Sequence, residues 1–303
     1  MFMPASQAIG FIGLGSMGLP MARNLVAAGH EVHGFDVVED AVEALAEAGG
    51  SAAASPAEAA RDRDLLLVVV ARADQAETVL FGEAGAVAAL APGATIVLHS
   101  TVPPAFATDL GQRLEERGHR LLDAPISGGR SGAEKGALTV MASGDARAFS
   151  AAEAALAVMA AKVYRLGDAP GIGSTVKMVN QHLAGVHIAA AAEAMALGTR
   201  AGADPAALFE VISNSAGNSW MFTNRVPHIL ARDFQPLSAV EIFVKDLGIV
   251  LETGHALRFP LPIAASAHQQ YLAAAAAGHG KEDDSAVVKV YEELAGIEVK
   301  PKD

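Results

Sequence analysis

Short, mostly apolar runs alternate with longer amphipathic stretches through the first half of the chain. The runs at 8–12, 31–35, 64–70, 95–99, 121–125, 138–142 and 162–166 read as strands, with helices at 19–28, 42–48 and 147–160 among those between them. Continuous apolar runs, as opposed to alternating ones, belong to a parallel sheet covered on both faces. After Leu166-Gly167 the strand signal stops. Helical periodicity then predicts only helices, at about 172–200, 205–214, 224–231, 239–256, 262–276 and 282–295. Gly202 and Pro205 supply the stop for the first of these. The fold class is therefore α/β, a doubly wound and mostly parallel sheet over residues 1–167. An all-α domain follows over 168–303, joined by the long helix.

The first strand runs directly into Gly13-Leu14-Gly15-Ser16-Met17-Gly18, a helix follows, and the second strand ends at Asp36. Strand, Gly-x-Gly-x-x-Gly, helix, strand and acidic residue together form the dinucleotide fingerprint of a Rossmann domain. Gly13 permits the tight turn, Gly15 lets backbone approach a pyrophosphate, and Gly18 allows close helix–strand packing. The helix N-terminus offers N–H groups and a positive dipole end to the phosphates. Asp36 would accept from the ribose 2′-OH and repel a 2′-phosphate. No Arg follows it in Val37-Val38-Glu39-Asp40, so NAD is expected over NADP. The competing reading of Asp36 is a cap on the helix at 42–48.

Ligands in such sheets sit beyond the strands' carboxyl ends. That directs attention to the loops at 71–74, 100–104 and 126–129. Ser127-Gly128-Gly129 can present successive backbone N–H groups, a nest suited to a substrate carboxylate.

At 303 residues, half of them hydrophobic, the chain has apolar surface for about two cores. Thirty-four acidic against 22 basic residues give a net charge of −12, which argues against nucleic acid or an anionic membrane as partner. With no cysteine there is no disulfide, thiolate metal site or cysteine nucleophile. His182 and His187 have the wrong spacing for one helical face, and no metal is expected. The segment 1–7 lacks the basic region of a signal peptide, and the longest strongly apolar run is too short to span a bilayer. A cytoplasmic protein is expected.

The stretch from Gly171 to Gln181 carries the candidate chemistry. On a helix, Lys177 and Asn180 project from one face a turn apart, and Gly173 would leave room for a ligand on that face.

These stretches together resemble the β-hydroxyacid dehydrogenase family. Residues 10–18 look like its cofactor signature, Asp123-Ala124-Pro125-Ile126-Ser127-Gly128-Gly129 like its substrate motif, 173–180 like its catalytic segment, and Lys245-Asp246-Leu247 like its C-terminal motif. The resemblance implies hydride transfer between a substrate hydroxyl carbon and nicotinamide, with Lys177 as general base in oxidation and general acid in reduction. A free lysine titrates near ~10.4, so burial and the positive charge of oxidised nicotinamide would have to lower it. Asn180 would hold a substrate hydroxyl or position Lys177. Gln181, standing where a second Asn is more usual, could reach substrate as well. Thr101 and Lys245 would contact the cofactor near its nicotinamide end, and Trp220 with Phe222 would shape the pocket unless Trp220 is simple core.

Within the family, 216–222 and 244–248 are most similar to the branch that acts on L-threonate. A small hydroxy acid of that kind is the expected substrate, with 3-hydroxyisobutyrate, or tartronate semialdehyde and glycerate, as alternatives. A silent dinucleotide-binding scaffold is the reading outside enzymology. Self-association into a dimer or tetramer is also implied.

Overall fold

The computed structural model describes residues 6–301. Residues 1–5, most of the segment read for a leader, lie outside the described residues. The chain divides into two compact units, one ending at Lys177 and one beginning at Met178. The division falls inside the long helix, beyond the 167/168 boundary expected from the loss of strand signal.

Among the described residues the first unit holds nine strands: β1 (Ala8–Ile12), β2 (Glu31–Phe35), β3 (Ser51–Ala52), β4 (Leu65–Val68), β5 (Thr95–Leu98), β6 (Arg120–Asp123), β7 (Ile126–Ser127), β8 (Leu138–Ser143) and β9 (Ala160–Gly167). Between them run α1 (Gly18–Ala27), α2 (Glu39–Glu47), α3 (Pro56–Ala60), α4 (Ala73–Phe81), α5 (Pro104–Glu115), α6 (Gly129–Glu134) and α7 (Ala146–Met159). The sheet order is β3-β2-β1-β4-β5-β6-β8-β7, with β9 on β8. All pairings from β3 to β6 are parallel, and β8 runs antiparallel to β6 and β7.

The apolar runs explain the layering. Every residue of β4 and β5 is buried. Successive side chains point to opposite faces, so Leu65, Leu67 and Val97 join Phe11 and Leu122 in one core. Leu66, Val68, Ile96 and Leu98 join Ile12 and Leu121 in the other. With both faces covered, ligands are left the strand ends. The chain reverses its direction of winding between β1 and β4, which places the opening beside the β1 carboxyl end.

Helix α8 (Ile172–Arg200) runs from the first unit into the second. The second unit continues with α9 (Pro205–Ser213), α10 (Trp220–Ala231), α11 (Val240–Ala256), α12 (Pro262–Ala274) and α13 (Val288–Ala295). Its core stacks Phe243 on Tyr271 at 5.2 Å between ring centroids. Helix α10 begins at Trp220, earlier than the 224 expected, because the Ser219 hydroxyl accepts from Phe222 N and caps its first turn. The stretch 282–295 is not one helix, since a 3-10 turn at Asp284–Val287 precedes α13. Among the described residues, no helix is long and apolar enough to cross a membrane.

Candidate functional site

The glycine loop shows which of its glycines the protein itself needs. Gly13 sits at φ +96°, and a Cβ there would lie 2.3 Å from the Val69 carbonyl oxygen. A Cβ on Gly18 would lie 1.8 Å from the Gly13 carbonyl oxygen. Gly15 is different, because it is exposed and no described atom lies within 4 Å of where its Cβ would be. Its missing side chain thus leaves space on the outer side of the loop, where a ligand's phosphates could approach the backbone. No described side chain caps α1, whose N-terminus at Gly18 closes the loop, so its positive dipole end is left for a phosphate.

Asp36 follows β2, the parallel neighbour of β1. Its Oδ2 accepts from Leu14 N at 2.6 Å, and its Oδ1 accepts from Val38 N at 2.9 Å. Helix α2 starts at Glu39 with Val38 as its cap residue, so Asp36 does not cap a helix at 42. The carboxylate holds the glycine loop to the end of β2 and retains lone pairs for a ribose hydroxyl. These residues fit an adenine dinucleotide with an unmodified 2′-OH.

Ser100 and Thr101 come just beyond β5, where Ser100 Oγ accepts from Val70 N at 3.1 Å and ties the loops after β4 and β5 together. Ser127 is in register with Thr139 as part of β7, so it belongs to a short strand. Gly128 (φ +127°) and Gly129 (φ +62°) then turn the chain into the six-residue α6.

Asp123, at the end of β6, is a residue whose role the sequence reading missed. It is fully buried. Its Oδ1 accepts the Ser174 hydroxyl at 2.6 Å, and its Oδ2 accepts Ser174 N at 2.8 Å and Gly171 N at 2.9 Å. It thereby caps the start of α8. Burial pushes its carboxyl up, opposed by the hydrogen bonds from Ser174 and Gly171. Gly173 must be corrected in the same place. A Cβ there would meet the Met141 carbonyl oxygen at 2.5 Å and that of Asp123 at 2.6 Å, so its bareness seats the helix on the sheet and leaves no room for a ligand. Gly173 N donates to Ser143 Oγ at 2.9 Å. Lys177 follows one turn later, 7% exposed.

The second unit gathers another set by itself. Asn180 Nδ2 donates to Gln181 Oε1 at 3.0 Å, and Gln181 Nε2 donates to Asp246 Oδ2 at 2.5 Å. The Lys245 ammonium lies 2.7 Å from Asp246 Oδ1. Asp246 is 2% exposed, and only its place beside Lys245 in the C-terminal motif hinted at a role. Trp220 stands at the first position of α10, 68% exposed and so not core, whereas Phe222 is buried.

Residues 8–167 match the family described as the NAD binding domain of 6-phosphogluconate dehydrogenase. Residues 171–291 match the one described as the NAD-binding domain of NADP-dependent 3-hydroxyisobutyrate dehydrogenase. The chain is 56% identical to L-threonate dehydrogenase of Cupriavidus necator, over 98% of this chain and 99% of the relative. The chain belongs to the β-hydroxyacid dehydrogenase family. It is also 48% identical to the L-threonate dehydrogenase of Escherichia coli K12, over 93% of this chain and 94% of that one. A solved 3-hydroxyisobutyrate dehydrogenase from Salmonella typhimurium superposes with a TM-score of 0.87 at 47% identity, covering 93% of this chain and 99% of its own. This member of the family is an NAD-dependent dehydrogenase acting on a CH–OH group of a small molecule, and NAD is its cofactor.

Proposed function

We propose that this chain oxidises L-threonate to its 2-oxo acid, with Lys177 as the general base. The observation that carries the mechanism is the seating of Lys177. It is a buried lysine on the first turns of a helix locked to the sheet by Asp123, one turn ahead of Asn180. The substrate assignment rests on relatives of that name, among them the two above, which match nearly end to end.

The loop of Gly13, Leu14, Gly15, Ser16, Met17 and Gly18 would hold the pyrophosphate on backbone N–H groups other than those of Gly13 and Leu14, which bond Phe35 O and Asp36 Oδ2, and Asp36 would hold the adenosine ribose. Thr101 and Lys245 would each be a contact for the nicotinamide end. NAD, when bound, supplies the acceptor of the hydride. Ser127, Gly128 and Gly129 anchor the substrate carboxylate. Asn180 binds a substrate hydroxyl, Gln181 supports Asn180 through its amide oxygen, and Trp220 lends its exposed ring to the pocket wall. Lys177 Nζ takes the proton of the reacting hydroxyl in oxidation and returns it in the reverse direction.

The name of the Salmonella structure favours a second reading, 3-hydroxyisobutyrate as substrate. NADH formation measured against L-threonate, D-erythronate, 3-hydroxyisobutyrate and D-glycerate separates the two. Highest kcat/KM with L-threonate is expected, and highest kcat/KM with 3-hydroxyisobutyrate would transfer the assignment to that acid. We also place the enzyme in the cytoplasm as a homo-dimer or tetramer. The exposed Val179 and Leu183, one turn apart on α8, suit self-association.

A further inference from the structure

Asp246, Gln181 and Asn180 form a chain of hydrogen bonds with a fixed direction. An amide can present either its oxygen or its nitrogen to a neighbour, and only the partners decide which. Asp246 makes that decision here. Its carboxylate is buried, with the Lys245 ammonium 2.7 Å from Oδ1, and an ionised carboxylate can only accept. The group 2.5 Å from its Oδ2 must therefore be the donor end of Gln181. The Gln181 oxygen then faces the other way and needs a donor, which Asn180 Nδ2 supplies at 3.0 Å. Asn180 in turn has its nitrogen drawn toward Gln181 and its Oδ1 on the opposite side of the amide.

We propose that Asp246, acting through Gln181, fixes the Asn180 amide with Oδ1 as an acceptor, and that this acceptor selects substrates bearing a hydroxyl beside the one oxidised. The inference rests on the reading of Asn180 as a substrate contact. Asp246 and Gln181 are then positioning residues, and the Gln that replaces the family's more usual Asn is the link that lets a buried charge set a polarity one turn beyond Lys177. L-Threonate carries additional hydroxyls that can donate to Asn180 Oδ1, whereas 3-hydroxyisobutyrate carries only the reacting one. Without the relay the amide is no longer held in one orientation, and the site loses its preorganised acceptor for that hydroxyl and with it part of the discrimination.

The test compares kcat/KM for L-threonate and for 3-hydroxyisobutyrate in the wild-type enzyme and in Gln181→Leu, Asp246→Asn and Gln181→Glu. In Gln181→Leu the Asn180 amide has no partner to orient it, and in Asp246→Asn the Gln181 amide is free to turn over. Each is expected to lower the L-threonate to 3-hydroxyisobutyrate ratio by about tenfold, mainly through the KM for L-threonate. Gln181→Glu keeps the size of the side chain but sets a second carboxylate against Asp246, whose other oxygen faces Lys245. Its KM for L-threonate should fall toward the wild-type value as pH is lowered, because a protonated Glu again donates to Asp246. A loss from altered packing alone would be independent of pH. Should Asp246→Asn not fold, the two Gln181 variants decide. A wild-type enzyme that favours L-threonate, with variants that leave the ratio unchanged, overturns the relay and keeps the proposed substrate. A wild-type enzyme that favours 3-hydroxyisobutyrate overturns the proposed substrate, and the relay's selectivity falls with it.

Discussion

Asp123 Oδ1 accepts the Ser174 hydroxyl at 2.6 Å, so the end of β6 and the first turn of α8 are joined inside the protein by a side chain that also bonds two backbone N–H groups. The Ser174→Ala substitution removes one donor from a buried carboxylate. Stability should fall by about 1–3 kcal/mol in urea unfolding, with kcat reduced and the KM for NAD unchanged. An unfolding midpoint and kcat equal to wild type would show that this contact does not hold the helix.

Gly173→Ala probes the same junction from the other side. Its Cβ would meet two backbone carbonyl oxygens, at 2.5 and 2.6 Å, which cannot rotate away as a side chain could. A loss of about 1–3 kcal/mol is expected, read as a lower Tm, together with reduced turnover because the Lys177 helix must shift. A Tm equal to wild type would mean the helix end is less tightly seated than the structure shows.

Asp36 carries two duties, loop and ribose. Asp36→Ala removes the acceptor for Leu14 N, and the KM for NAD should rise about tenfold while the KM for the hydroxy acid stays level. The variant also loses the charge that repels a 2′-phosphate, so its NAD to NADP ratio of kcat/KM should narrow. Steady-state kinetics with both cofactors checks this, and an unaltered ratio would remove Asp36 from the cofactor site.

His99 gives a pH prediction. Its Nδ1 donates to the Ala124 carbonyl oxygen at 2.7 Å, while Nε2 is buried with no partner among the described residues. Burial lowers the ring's pKa from 6.5 to about 4. Between those values the unfolded chain binds a proton that the folded chain does not, so this group's contribution to stability is complete above pH 6.5 and is lost as pH falls toward 4. The full effect is on the order of 3 kcal/mol at most. Thermal unfolding from pH 7 to 4.5 should show the decline, with a shallower slope in His99→Asn. Equal slopes would place the acid sensitivity elsewhere.

Local code was enough for much of this architecture. β1, the glycine loop and β2 are read correctly because turn, helix start and strand ends lie within one stretch of sequence. β3 and β7 escape because two residues show no periodicity. The start of α10 was missed although Ser219 is a local cap signal, since the apolar pattern alone sets in later. Gly173 was misread because what fills its bare side is the backbone of β6 and β8, remote in sequence. Asp123 likewise bonds residues far along the chain, and no spacing rule links them.

The most direct test of the central claim is turnover by Lys177→Ala with L-threonate, alongside NAD binding followed by calorimetry. Lys177 as general base predicts a kcat lower by about 10²–10⁴, with the affinity for NAD intact. Near wild-type turnover by a variant that still binds NAD would contradict the mechanism.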